Sequence, residues 1–95
     1  MALPLTQVEE TVIRQQLARL LASPRFASAD RLRRFLSFVV ERRLMGEADE
    51  IKEIVIAAEV YGRSQDYNPK VDSTVRVEAS RLRSRLREYY DGEGA

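Results

Sequence analysis

The 95-residue sequence predicts an all-α fold: a four-helix single domain with a helix-turn-helix-like pair and no wing. Three observations carry that expectation. Apolar residues recur at steps of three and four along most of the chain, which is the helical period rather than the strand period of two. Cap and stop signals bracket those runs, with Thr6, Ser28 and Asp72 ahead of them and Pro24, Gly46, Gly62 and Gly92 behind. The β-branched run Ile54-Val55-Ile56 is followed by Ala57, Ala58 and Glu59, which favour helix.

The first helix is expected over residues 7–22. Thr6 is its N-cap, and Glu9 three residues on completes a capping box. Val8, Val12, Ile13, Leu17, Leu20 and Leu21 form its apolar stripe. Residues 1–5 read as a loose arm. Ser23-Pro24 ends the helix, because the residue before proline disfavours the α region. Phe26 is expected to plug the core from a connecting loop. Ser28 caps the second helix, residues 29–45, which turns Leu32, Phe35, Leu36, Val39 and Phe38 inward and Arg31, Arg34, Glu41 and Arg42 outward. Gly46 supplies the stop. An acidic loop, Glu47–Glu50, follows, and the acidic block Glu47–Glu53 is expected to cap the next helix through its dipole. That third helix, residues 52–61, is short, largely buried and closed by Gly62. Residues 63–71 are a loop marked by Asn68-Pro69. The fourth helix, residues 73–90, starts at Asp72 or Ser73, buries Val75, Ala79, Leu82, Leu86 and Tyr89, and ends before Gly92; the tail 91–95 is expected to fray.

Composition removes several function classes. The chain has no cysteine and no histidine, so it holds no disulfide, no Cys/His zinc site and no imidazole base. Its glycines are isolated, with no phosphate-cradling loop, and no nucleophile stands beside a base. The sequence therefore points to no enzyme, no catalytic residue, no cofactor, no metal and no small-molecule substrate. No apolar run is long enough for a membrane span, and the first residues lack the basic and apolar regions of a signal peptide, so a cytoplasmic location without membrane contact is expected.

The net charge of +1 hides a strong pattern. Residues 25–45 carry six arginines against Asp30 and Glu41, a balance of +4. Residues 46–60 carry Lys52 against five acidic side chains, a balance of −4. Residues 72–90 carry five arginines against Asp72, Glu78 and Glu88, a balance of +2. A near-neutral chain can thus present a basic face. At 100° per residue, the outward side of the fourth helix centres on Val77 and Ser84. Arg76 and Ser80 lie to one side, Thr74 and Arg81 to the other, and Arg83 and Arg85 on the flanks. Small side chains among guanidinium groups let a helix approach a major groove closely. Arginine can bond guanine or phosphate there, and serine or threonine can bond either.

The run Thr74-Val75-x-Val77-x-x-Ser80-Arg81-Leu82-Arg83-x-x-Leu86 resembles the recognition helix of the OmpR/PhoB-type winged helix-turn-helix domain. Glu59-Val60-Tyr61-Gly62 is similar to the end of the short helix that precedes it in that family, so the resemblance spans about residues 51–87. It implies a bacterial transcription regulator binding double-stranded DNA, with Thr74, Val77, Ser80, Arg81 and Arg83 facing the DNA. The helical wheel adds Arg76 and Ser84, and Ser73 at the helix start completes the set. Two departures stand out: no β-sheet precedes the first helix, and no β-hairpin wing follows the last. A wingless copy binds weakly alone, so a homodimer on two half-sites is expected. The whole chain also resembles an N-terminal module of bacterial tetratricopeptide-repeat or cyclase-like proteins.

Blander readings compete. The arginines can be a solvated face whose stems cover apolar neighbours, and the arginines of the second helix read that way. Tyr61, Tyr67, Tyr89 and Tyr90 read as core edge or subunit contact. The alternative function is a helical protein-protein interaction or oligomerisation module, in which the first and fourth helices pair with another chain and the arginine face meets an acidic partner.

Overall fold

A computed structural model describes residues 6–64 and 66–92; the arm expected at 1–5 and the last residues of the tail lie outside them. Five α-helices and one 3₁₀ turn follow in order: α1 (Gln7–Ala22), α2 (Pro24–Ala27), α3 (Asp30–Leu44), the turn Ala48–Glu50, α4 (Glu53–Tyr61) and α5 (Thr74–Asp91). The described residues contain no strand, in keeping with the all-α expectation.

The helix count exceeds the expected four because the stop signal of α1 is also a start signal. Ser23 Oγ accepts from Arg25 N at 3.2 Å, and Pro24 takes the first helical position, where its missing N–H is not needed. One helical turn forms, and it carries Phe26 into the core with no exposed surface. Ser28 closes that turn and does not cap α3; the N-cap is Ala29, with no side-chain bond. The acidic stretch after Gly46 is likewise a 3₁₀ turn rather than an open loop. Of the acidic block 47–53, Glu53 stands in the first turn of α4 as expected, whereas Glu47 pairs with Arg42 at 2.5 Å.

Elsewhere the local signals act as expected. Thr6 and Glu9 form the capping box, Glu9 N donating to Thr6 Oγ1 at 3.1 Å. Gly46 and Gly62 sit at φ +75° and +64°, a left-handed conformation that an L side chain resists. They let α3 and α4 end in sharp reversals.

One apolar cluster joins the helices: Leu20 from α1, Phe26 from α2, Leu32, Phe35 and Leu36 from α3, Ile56, Ala57 and Val60 from α4, and Val75, Leu82 and Tyr89 from α5. Two predicted faces need correction. Val8 and Val12 of α1 are 73% and 56% exposed, because the stripe leaves the core before its first two turns. Ile54 of α4 is also exposed, since three successive apolar residues on a helix cannot all face one side. Helix α5 crosses the cluster as expected and sits against α2, α3 and α4. Arg25 on α2 and Glu88 on α5 pair at 3.2 Å, and Arg85 Nη1 donates to the Arg25 carbonyl at 3.0 Å. No helix among the described residues is long and apolar enough to cross a membrane.

Candidate nucleic-acid interface

Helix α5 begins in a small polar network. Of the two cap candidates, Asp72 performs the bonding: its Oδ1 accepts from Thr74 N at 2.9 Å and from Thr74 Oγ1 at 2.5 Å. Ser73 holds the N-cap position with no side-chain bond and is exposed. Arg63 closes the network, with Nε 3.1 Å from Asp72 Oδ2 and Nη2 donating to Thr74 Oγ1 at 2.8 Å. Tyr67 Oη lies 3.2 Å from both Glu53 Oε1 and the Asp72 carbonyl, which ties the preceding loop to α4 and α5. Thr74 is therefore a structural residue here, with its hydroxyl used on both sides.

The hydrogen bonds from the Thr74 hydroxyl and N–H, aided by Arg63, hold the Asp72 carboxyl below its ordinary value. A carboxyl depressed in the folded state stabilises the fold above its unfolded value and loses that effect as pH falls through the folded one. The acid limb of a stability profile, below the ordinary carboxylate range, is thus expected to include Asp72. Asp72→Asn should flatten that limb, and an NMR titration of the Asp72 carboxyl should give a midpoint below that of a free aspartate. A midpoint at or above the free value removes this account of the cap.

The rest of α5 presents its expected outward face to solvent. Val77 is 43% exposed, and Ser80, Ser84 and Arg83 are exposed. The Arg76 and Arg81 side chains are 65% and 68% exposed although each has an acidic neighbour. Arg76 Nε lies 3.3 Å from Glu53 Oε1, and Arg81 Nη1 lies 3.6 Å from Glu78 Oε2. The Arg76 pair is weak at such exposure, about 1 kcal/mol or less, and an incoming phosphate can compete for its guanidinium, whereas the partner of Arg81, Glu78, is buried. Among the described residues, Arg83 and Arg87 have no ion pair.

Two flanks emerge. On one, Ser80, Arg81, Ser84 and Arg85 of α5 face Ser28, Asp30 and Arg31 across an open groove. On the other stand Arg76 and Arg83, the former beside α4. Ser73 and Thr74 lie at the helix start, apart from the groove. The far wall of the groove is not legible in the sequence, since Arg31, expected on a solvated face, lies fifty positions from Arg81. Arg33 and Arg42, from the same basic block, are tied down: Arg33 Nη1 donates to the Leu21 carbonyl, and the Arg42 guanidinium stands 5.1 Å over the Phe38 ring.

Glu78 is the main departure within α5. It is 8% exposed and lines the groove rather than standing at its edge. Its charge, after burial, helps push the Tyr61 phenol up to about 12. Tyr61 Oη is enclosed with no hydrogen-bond partner among the described residues. A second hollow, almost wholly apolar, lies between α1 and the end of α5, floored by Leu20 and Leu36 of the core and walled by Leu86 and Tyr90. No family model, curated protein or solved structure matches the chain.

Proposed function

We propose that this chain binds double-stranded DNA as a bacterial transcription regulator, with α4 and α5 acting as a helix-turn-helix-like pair and α5 lying in the major groove. One observation carries the reading: the exposed face of α5 keeps low side chains, Val77, Ser80 and Ser84, between outward guanidinium groups of Arg76, Arg81 and Arg83. A helix that only needs solvation has no use for a low, uncluttered centre, because long polar side chains serve solubility there as well or better. Serine hydroxyls can reach bases or phosphates, and valine can meet a thymine methyl. Ser73 and Thr74 stand where the N-terminus of a groove-lying helix meets the backbone. The cellular site is the cytoplasm, and two copies would engage two half-sites about 34 Å apart.

The experiment is fluorescence anisotropy of random-sequence duplex across a salt series, followed by selection of a preferred site. The wild-type affinity is expected to fall steeply with salt. Each of Arg81→Ala and Arg83→Ala should lower the slope of log K against log salt by about 0.9, the contribution of one phosphate. A wild type that shifts no duplex at low salt ends the proposal, as do two variants with unchanged slopes.

A further inference from the structure

The groove beside α5 gathers arginines from two distant parts of the chain. Arg81 and Arg85 line it from α5, and Arg31 lines it from the first turn of α3. The open space between them is about 550 Å³, ample for a phosphodiester. The three guanidinium groups are held to different degrees. Arg85 Nη1 donates to the Arg25 carbonyl at 3.0 Å, and Arg81 Nη1 lies 3.6 Å from Glu78 Oε2. Arg31 is exposed and has neither a hydrogen bond nor an ion pair among the described residues. Like charges repel, so guanidinium groups on facing walls are disfavoured unless an anion lies between them.

Two carboxylates belong to the same groove, Asp30 and Glu78, so three arginines against two acids leave it at +1. Glu78 is 8% exposed and lines the floor, not the rim. Asp30 stands in the first turn of α3, where the helix dipole favours a carboxylate. The arginines, with their longer side chains, reach further into the open space. Ser28 on one wall and Ser80 and Ser84 on the other add exposed hydroxyls. Arginine and serine are among the side chains that hold backbone phosphates.

Which phosphates the groove would take follows from where it lies. A helix with its side chains is about 10–12 Å across and the major groove about 12 Å wide, so a backbone strand runs along each side of a helix lying there. With α5 in that position, Arg76 and Arg83 stand on one side of it. Arg81 and Arg85 stand on the other, and the wall that carries Arg31 lies beyond them. We infer that this groove seats a backbone phosphate of the second strand, gripped by Arg81 from α5 and by Arg31 from α3. Arg31 is then a DNA contact outside the helix-turn-helix-like pair. This contact rests on the DNA reading and extends it to a third helix.

Fluorescence anisotropy of random duplex across a salt series tests the seat. Arg31→Ala should lower the slope of log K against log salt by about 0.9, the share of one phosphate, and weaken binding alike on every sequence. Arg43→Ala is the control. Arg43 is exposed in the last turn of the same helix, about 18 Å further along it, and its loss should leave the slope at the wild-type value. Both side chains are exposed, and thermal melts of the two variants should stay close to wild type. A wild-type slope for Arg31→Ala, beside lowered slopes for Arg81→Ala and Arg83→Ala, overturns this inference and leaves the DNA reading in place. Equal losses from Arg31→Ala and Arg43→Ala also overturn it, since the effect is then one of net charge and not of the groove. A wild type that shifts no duplex at low salt removes both readings.

Discussion

Phe26→Ala is expected to unfold the protein or bring it close to unfolding. Phe26 has no exposed surface and is the largest fully buried side chain among the described residues. It hangs from the one-turn helix α2, whose remaining residues are exposed or half-buried, so Phe26 is the turn's apolar anchor, beside the polar ties of Arg25 to Glu88 and Arg85. Truncating a buried phenylalanine costs about 3–5 kcal/mol, as lost transfer energy plus an unfilled cavity. A domain of this size has a total stability of roughly 5–10 kcal/mol. The loss is thus about a third of the total or more, and a thermal melt should show a fall of well over 10 °C. Phe26→Leu, which keeps most of the volume, should recover much of it. A melt of Phe26→Ala within a few degrees of wild type would show that α2 is not the anchor described here.

Ser80→Glu combined with Ser84→Glu should abolish DNA binding while leaving the fold intact. Both serines are exposed on α5, and glutamate is the better helix former, so the helix should hold or gain stability. The new carboxylates lie one helical turn from Arg76, Arg81, Arg83 and Arg87, four favourable spacings that outnumber the two like-charge spacings they add, 80/84 and 84/88. Against DNA the same charges are opposed to phosphate. Each added negative charge should lower affinity by about tenfold at 0.1 M salt, or about a hundredfold for the pair. Ser80→Ala with Ser84→Ala should bind nearly as wild type does to random duplex, since only small hydroxyls are lost. The prediction sets stability and binding in opposite directions, which no folding defect can imitate. Retained duplex binding by the double glutamate variant would place the DNA on another face.

Much of the architecture was legible because its causes are local. The capping box of Thr6 and Glu9, the left-handed Gly46 and Gly62, and the three- and four-residue spacing of Val75, Ala79, Leu82 and Leu86 all act within one or two turns. Short-range signals of that kind can be read in order along a chain. The errors arose where one residue carried two local meanings. Ser23-Pro24 ended α1 as expected, yet the same serine and proline also open a helical turn, and that second meaning raised the helix count. Ser28 has the place of a cap ahead of α3, yet it closes α2 instead.

The candidate interface divides in the same way. The sequence alone determined that α5 would exist, which side of it would be buried, and that Val77, Ser80, Arg81, Arg83 and Ser84 would be left facing out, because a helix sets those relations through its own repeat. Only the tertiary structure decided what stands beside that face. It set Arg31 across a groove from Arg81, sank Glu78 toward Tyr61, spent the Thr74 hydroxyl on Asp72 and Arg63, and left Val8 and Val12 outside the core. These outcomes depend on how helices distant in sequence come to rest against one another. Periodicity along a single helix carries no information about its neighbours, so which of its polar groups are shared, shielded or left open is settled only when the helices pack.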